Sequence, residues 1–169
     1  RNAAIDHMAN DRPGSRVIPI AESRGGGGRR VRASLKGRSV DPQAAAGRGW
    51  NRVGFEQIAA WNPDWVFVVS YHQDVDVLAA ALRRDGAWGS LAAVRAGRLV
   101  AFPVDYYSWD QPDLRWVLGL KWLSSRLHPD LFRDTDLDRE VIDFFSFLYG
   151  MNEEGVRRVV LANLRGGYR

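Results

Sequence analysis

Apolar and polar residues follow an α/β pattern from Val53 to the carboxyl end of the chain. Residues 65–69 form an uninterrupted apolar run rich in β-branched side chains, which is typical of a strand covered on both faces. Residues 99–102 form a second, shorter run of this kind. Other stretches carry apolar residues at helical spacing. They predict helices at 55–61, 75–84, 111–128, 138–149 and 153–164, and a helical turn at 88–94.

Residues that favour helix ends mark several of these boundaries. Asn62 precedes a proline, which disfavours the α region for that residue. Gly150 follows the fourth helical stretch at the position where helices often end in a left-handed glycine. Asp110 is a suitable N-cap for the helix at 111–128, and Pro112 suits its first turn. We expect the start of that helix, Gln111–Asp113, to present free N–H groups to an anionic group of a ligand.

The number of strands sets the fold class. Two strands do not make an independently stable sheet, so either residues 1–49 supply more strands or the chain is part of a larger α/β unit. Short strands are possible at 17–20 and 31–35, and Pro19 would restrict the first of them to a sheet edge. The predicted fold is α/β, a single incomplete three-layer lobe with a small, mostly parallel sheet and flanking helices.

Composition divides the chain between residues 49 and 50. All nineteen aromatic residues lie in 50–169, and residues 1–49 carry ten Lys/Arg against four Asp/Glu. We interpret residues 1–49 as a basic, Gly/Arg-rich segment that is disordered or non-native, and 50–169 as the folded domain. An electrostatic arm for nucleic acid or an anionic membrane is the alternative for the basic segment. Because its basic residues have no aromatic neighbours for base stacking, we expect no nucleic-acid partner.

Several classes of chemistry lack the residues that they need. Without cysteine the chain has no disulfide and no thiolate site, and no apolar run approaches the ~20 residues that cross a bilayer. The glycine-rich stretches at 25–28 and 47–49 lack the Lys-Ser/Thr of a phosphate loop. The start of the chain lacks the apolar segment of a signal peptide, so we expect a processed or truncated chain. We expect no enzyme and no protein metal site.

Two loops that follow the predicted strands are the candidate binding segments. Residues 104–110 carry two tyrosines and a tryptophan, which offer flat apolar area together with polar donors. Residues 70–73 form the equivalent loop, where His72 could bind a metal or simply be solvated. Ligands of open α/β sheets bind beyond the carboxyl ends of strands. We therefore expect both loops on one rim with their rings in one pocket wall; the alternative is that the rings only close the core.

Three stretches together resemble the solute-binding proteins of ABC importers, in the branch for iron–siderophore complexes, haem and cobalamin. Residues 53–68 contain a Glu-x-hydrophobic motif, then Asn-Pro-Asp, then a strand. Residues 88–103 contain a tryptophan, then Ala-Val-x-x-Gly-Arg, then a strand. Ser-Trp-Asp-Gln-Pro at 108–112, followed by Leu-Gly-Leu-Lys-Trp-Leu at 118–123, is similar to iron-transporting members of the family. The resemblance spans about residues 47–164.

The resemblance implies a fold and a function. In that family two α/β lobes joined by a long helix enclose the ligand, and residues 50–169 resemble the second lobe. An iron chelate, haem or a corrinoid would be captured without catalysis and delivered to the permease of the importer. The parent protein would be extracytoplasmic, in the periplasm or as a cell-surface lipoprotein. The chelate would arrive already coordinated, so no protein cofactor is implied.

The resemblance also implies roles for individual residues. Glu56 lies where family members carry the second-lobe glutamate that docks onto permease arginines. Six residues become ligand contacts by position: Tyr71, His72, Tyr106, Tyr107, Trp109 and Trp50.

Two other interpretations remain open. The chain could be a nonfunctional or interaction-only remnant of such a protein, because residues 1–49 do not match what precedes Trp50 in the family. A small-molecule hydrolase, with Asp105, Asp110 or His72 as acid or base, is less favoured since no nucleophile–base pair is present. For a single lobe we expect weak ligand binding.

Overall fold

The computed structural model describes residues 17–22, 30–33 and 51–168. The chain divides into two compact units, Arg1–Ala101 and Phe102–Arg169, and each is described by itself. Trp50, one of the predicted ligand contacts, lies outside the described residues.

The described part of the first unit contains a five-stranded sheet. The strands are β1 (Val17–Glu22), β2 (Arg30–Ala33), β3 (Asn51–Gly54), β4 (Trp65–Val69) and β5 (Leu99–Ala101). Their order in the sheet is β3-β2-β1-β4-β5. β1, β4 and β5 pair in parallel, whereas β2 pairs antiparallel with both β1 and β3. Together with the helices, this arrangement confirms the predicted α/β class.

Pro19 does not keep β1 at the edge of the sheet, contrary to the prediction. β1 lies between β2 and β4, and its register with β4 runs from Val17 to Ala21. Among the described residues, its register with β2 runs from Ile20 to Glu22, and Pro19 lies opposite Phe67 of β4. β1 is interior because it pairs with a strand on each side. Of the two alternatives for residues 1–49, the structure supports the one in which they supply further strands. The boundary at 49 and 50 stays a prediction.

The helices of the first unit are α1 (Phe55–Trp61), α2 (Val75–Arg84), α3 (Gly86–Gly89) and α4 (Ala92–Arg95). The predictions for α1, α2 and β4 are confirmed residue for residue, because strong local signals bound these elements. Asn62 ends α1 in the left-handed region with φ 44°, and the Asp74 carboxylate caps α2 by accepting two backbone N–H groups. The predicted turn at 88–94 is instead two short helices, since the Asp85 carboxylate caps the first from residue 86.

β4 is the buried centre of the first unit. Val66, Phe67, Val68 and Val69 are each exposed by 1% or less. Burying a valine or phenylalanine side chain stabilises the fold by about 1.5–3 kcal/mol, so this run accounts for much of the core that holds the strand ends in place. Further buried residues around it are Ile20, Ile58, Trp61, Val75, Ala79, Leu82, Trp88 and Leu99.

The second unit is helical. It contains α5 (Trp116–Leu127), α6 (Leu137–Tyr149), α7 (Glu153–Val159) and a 3-10 turn at Leu161–Asn163. The predicted helix at 138–149 is confirmed and begins one residue earlier, after the Asp136 cap; Gly150 ends it with φ 64°. The predicted helix at 153–164 stops at Val159. Within the described residues, no helix is long and apolar enough for a membrane crossing.

Candidate functional site

The carboxyl ends of β4 and β5 lie at the same edge of the sheet. The two strands pair in parallel, with Val66 opposite Leu99 and Val68 opposite Ala101. This confirms the premise from which the two candidate loops were predicted. One loop, residues 70–73, follows Val69 in the first unit, and the other, residues 104–110, lies in the second unit, which begins at Phe102. The further expectation, that the rings of both loops share a pocket wall, stays a prediction.

The loop after β4 is a tight turn closed by one side chain. The Ser70 hydroxyl donates to the Gln73 carbonyl oxygen over 2.8 Å and accepts the Gln73 backbone N–H over 3.2 Å. Ser70 is buried, whereas Tyr71 is 40% exposed and His72 is also exposed. The turn therefore holds its backbone to the core and leaves the tyrosine and histidine side chains accessible to a solute.

The loop after β5 is a second compact turn. Val104 and Ser108 form an antiparallel bridge, and the Trp109 backbone N–H donates to the Pro103 carbonyl oxygen over 3.0 Å. Tyr106 and Tyr107 stand at its tip and are 63% and 55% exposed. Exposed rings on a closed turn offer flat contact area at low cost in conformational entropy.

The carboxyl-terminal segment forms the base of this loop. Val104 and Arg165 bridge through two backbone hydrogen bonds of 3.2 and 2.9 Å. The Gly167 carbonyl oxygen accepts the Trp122 Nε1–H over 2.9 Å and an Arg126 N–H over 2.6 Å. Val104, the first residue of the loop, is thus paired with the carboxyl-terminal segment, and that segment is itself hydrogen-bonded to α5.

Trp109 is not an exposed ligand contact, and the prediction is corrected here. Its side chain is 1% exposed and its ring packs edge-to-face on Tyr168, with centroids 5.7 Å apart. The backbone bond to Pro103 turns the chain back at this point, so the ring falls inside the second unit. Trp109 closes the core beneath the loop, which is the alternative that the sequence left open. Its Nε1 has no hydrogen-bond partner among the described residues.

The predicted anion site at Gln111–Asp113 is also corrected, because the helix begins later. α5 starts at Trp116, and residues 111–115 form bends and turns. The Asp113 carboxylate accepts the Arg115 backbone N–H over 2.7 Å, which competes with a helical first turn. Asp110 does not cap a helix; its carboxylate accepts the Ser108 hydroxyl over 2.6 Å.

Arg115 is a residue of this loop region that sequence reasoning missed. Its Nε donates to Asp105 over 3.1 Å, and its Nη1 lies 3.4 Å from an Asp113 oxygen. Asp105 is 2% exposed. A buried carboxylate between apolar residues requires a cationic or hydrogen-bonding partner. This requirement at Asp105 was the feature of the sequence that could have pointed to a partner such as Arg115. The predicted helix at 111–128 includes Arg115 but gives it no role.

Glu56, the predicted docking residue, lies at an exposed helix start, and its docking role stays a prediction. It is exposed in the first turn of α1, a position at which a carboxylate is favoured by the helix dipole. A Cβ added at Gly54 would lie 2.9 Å from the Glu56 Oε2, so the carboxylate folds back over that glycine.

The described residues contain no group of three or more His, Asp or Glu that could hold a metal ion. Each unit has its own candidate contacts: Tyr71 and His72 on the closed turn of the first unit, and Tyr106 and Tyr107 on the closed turn of the second unit, which also holds the buried Asp105–Arg115 ion pair.

Comparison with known proteins gives a consistent result. A family model described as periplasmic binding protein matches residues 9–106, more than half of the chain. The molybdate-binding protein MolA of Haemophilus influenzae is 29% identical over 107 residues, which are 63% of this chain and 30% of that protein. The solved structure of MolA bound to molybdate aligns with a TM-score of 0.52 at 26% identity, over 64% of this chain and 32% of that one.

Two solved structures align over 94% of this chain. A periplasmic solute binding protein from Veillonella parvula has a TM-score of 0.64 at 17% identity, with 50% of its own chain covered. The nickel–histidine complex of CeuE from Helicobacter pylori has a TM-score of 0.66 at 13% identity, with 52% covered. At these identities the likeness shows the fold alone. The chain spans about half the length of these two structures and less than a third of MolA.

Proposed function

This chain belongs to the periplasmic binding protein family, and we propose that it captures a small solute for an ABC importer without changing it chemically. The family match supports this reading. The observation that carries it at the level of residues is the exposure of Tyr106 and Tyr107 on a turn closed by backbone hydrogen bonds. Tyr71 and His72 form a separate candidate contact pair in the first unit. The proposed location is extracytoplasmic.

The proposed ligand is a metal–organic chelate, such as an iron chelate, haem or a corrinoid. Adjacent tyrosine rings favour an organic frame with flat apolar area. Three carboxylates, Asp105, Asp110 and Asp113, lie in or beside this loop, against the two arginines described there, Arg115 and Arg165. The local charge therefore does not favour an anion. The relative MolA is named for molybdate, and CeuE was solved with nickel and histidine. Molybdate, and nickel with histidine, are therefore the alternative ligands that a binding experiment must include.

Calorimetric titration of the 169-residue chain tests this proposal. The probes are a ferric trihydroxamate complex, haem, cobalamin, molybdate, and nickel with histidine. We expect the chelates to bind in the micromolar to millimolar range, about 4–8 kcal/mol, and Tyr106→Ala and Tyr107→Ala each to weaken binding by about tenfold. Phe147→Ala is the matched control, because Phe147 is an aromatic residue of the same unit with 87% exposure on α6.

Two outcomes would overturn the proposal. If the tyrosine variants bind as Phe147→Ala does, these rings are not ligand contacts. If a folded chain gives no heat with any of the five probes, the interaction-only interpretation replaces ligand capture. Binding of molybdate but of no chelate would retain solute capture and reject the proposed ligand class.

We further propose that Glu56 docks onto a permease arginine. Its exposed carboxylate at the start of α1 supports this role, because charged contacts at an interface rim mainly guide orientation and encounter. With a reconstituted importer in vesicles, Glu56→Gln is expected to reduce stimulation of ATP hydrolysis by the binding protein about tenfold at low salt. Glu154→Gln is the control, since Glu154 is also an exposed first-turn acid, on α7. Equal effects of both variants would argue against docking by Glu56.

A further inference from the structure

We propose that Arg115 is a positioning residue, which fixes the Tyr107 ring in the orientation that meets the ligand. The inference rests on the proposed function, because it treats Tyr107 as a ligand contact. Arg115 itself is largely covered, with a side chain that is 16% exposed.

Tyr107 is held at its backbone by Asp105. One Asp105 oxygen accepts the Tyr107 backbone N–H over 2.9 Å, and the other accepts the Arg115 Nε–H over 3.1 Å. The Asp105 backbone N–H in turn donates to the Tyr107 carbonyl oxygen over 3.3 Å. A single buried carboxylate thus connects the tip of the loop to the guanidinium.

Tyr107 is held at its ring by Arg115. The guanidinium carbon lies 5.2 Å from the centroid of the Tyr107 ring and 5.7 Å from that of the Phe145 ring. Both distances are within the range of cation–π attraction. Phe145 is 5% exposed on α6, so the guanidinium rests on the core while it supports an exposed ring.

The geometry requires arginine rather than lysine. A planar guanidinium can donate from Nε to Asp105 and from Nη1 towards Asp113 while its faces remain open to rings. A lysine ammonium would keep the charge beside Asp105 without the plane or the fork.

Preorganisation of Tyr107 has a measurable consequence. A ring that is already ordered loses less conformational freedom when the ligand binds. Removing Arg115 should therefore weaken binding only through Tyr107. The neighbouring Tyr106, among the described residues, has no ring contact with a guanidinium and serves as an internal control.

Double-mutant cycles with a ferric trihydroxamate complex test the inference in the whole chain. We expect Arg115→Met alone to weaken binding about fivefold. In a Tyr107→Ala background it should add less than about twofold, whereas in a Tyr106→Ala background its effect should stay near fivefold. Equal, additive effects in both backgrounds would overturn the positioning role, because a general structural defect does not distinguish the two tyrosines.

A ligand-free measurement separates this inference from the proposed function. Arg115→Met and the milder Arg115→Lys are compared with the unmodified chain by NMR, following amide exchange at Tyr107 and its ring signals. In both variants we expect the Tyr107 amide to exchange at least tenfold faster and the signals of its ring to be averaged. If Arg115→Met does not fold, Arg115→Lys alone provides the comparison. Unchanged Tyr107 signals in a folded variant would overturn the inference. If the unmodified chain binds no probe, the proposed function fails while this comparison still decides the role of Arg115.

Discussion

At the scale of single residues, the fate of Asp105 illustrates how a buried charge is held. Its carboxylate is almost fully removed from water and is paired with Arg115 and with a backbone N–H. Removing one member of a buried pair leaves the other uncompensated, which costs more than the intact pair contributes. The Arg115 side chain keeps some solvent contact and a second carboxylate, Asp113, so this cost is partly relieved.

Asp105→Ala should destabilise the protein by about 2–4 kcal/mol, because it removes both acceptors at once. Asp105→Asn keeps an acceptor for the Tyr107 N–H and should cost about 1–2 kcal/mol. Asp143→Asn is the control: Asp143 pairs with Arg139 on the surface, where both side chains are more than half exposed, and should change stability by less than about 1 kcal/mol. Urea unfolding measures all three, and similar losses for Asp105→Ala and Asp143→Asn would contradict the buried pair.

The sequence singled out four aromatic rings on the two turns, and the structure exposes three of them. Tyr71, Tyr106 and Tyr107 are exposed, as a ligand contact requires, although their contact with a ligand stays a prediction. Trp109 differs because its backbone pairs back to Pro103 and its large ring fills the space beside Tyr168. No local pattern separates a tryptophan in a loop from one beneath it.

At the scale of secondary-structure elements, α5 passes unusually close to the second loop. Gly119 lies in the first turn of α5, and a Cβ there would clash with the Trp109 carbonyl oxygen. Because that atom belongs to the backbone, it cannot move aside as the end of a flexible side chain would. A glycine at this position lets the helix pack against the end of the loop.

Gly119→Ala should therefore destabilise the fold by about 1–3 kcal/mol through overpacking, although alanine favours helices elsewhere. Gly86→Ala is the matched control, since a Cβ at Gly86, also in a helix, meets nothing within 4 Å; it should change stability by less than about 1 kcal/mol. Thermal unfolding followed by circular dichroism is the measurement. A neutral Gly119→Ala would show that α5 and the loop can separate at little cost.

The elements that could be predicted are those bounded by their own residues. α1, α2 and β4 match because apolar periodicity and nearby caps coincide. The start of α5 was predicted five residues too early, since the Asp113 carboxylate takes the Arg115 N–H and the Arg115 side chain turns to Asp105. The position of β1 within the sheet depends on its pairing with both β2 and β4, which is a property of three strands and not of β1 alone.

At the scale of the whole molecule, the charge is unevenly distributed along the chain. The net charge is +4, and residues 1–49 contain the excess of basic residues. Two stretches of that segment, β1 and β2, are strands of the sheet. Two of the ten basic residues, Arg30 and Arg32, belong to β2, so for these two the basic character does not by itself indicate a nucleic-acid arm.

Binding of the 169-residue chain to duplex DNA should accordingly be weak and lost between about 50 and 200 mM salt, as for non-specific electrostatic contact. Fluorescence anisotropy with a labelled duplex is the measurement. Binding that depends little on the DNA sequence and falls steeply as the salt concentration rises would agree with this expectation. Tight binding that survives 200 mM salt would instead favour the arm that the sequence left as an alternative.

The amino-acid sequence by itself determined the α/β class, the extents of the strongly patterned helices and strands, and the two turns that follow β4 and β5. These features depend on residues within a few positions of one another, so a single chain read in order contains the necessary information. Tertiary structure alone decided that β1 lies inside the sheet, that Trp109 is core, and that Arg115 joins Asp105 to the Tyr107 ring. Burial and charge pairing arise from elements brought together by folding, and no local pattern encodes which partner each side chain meets.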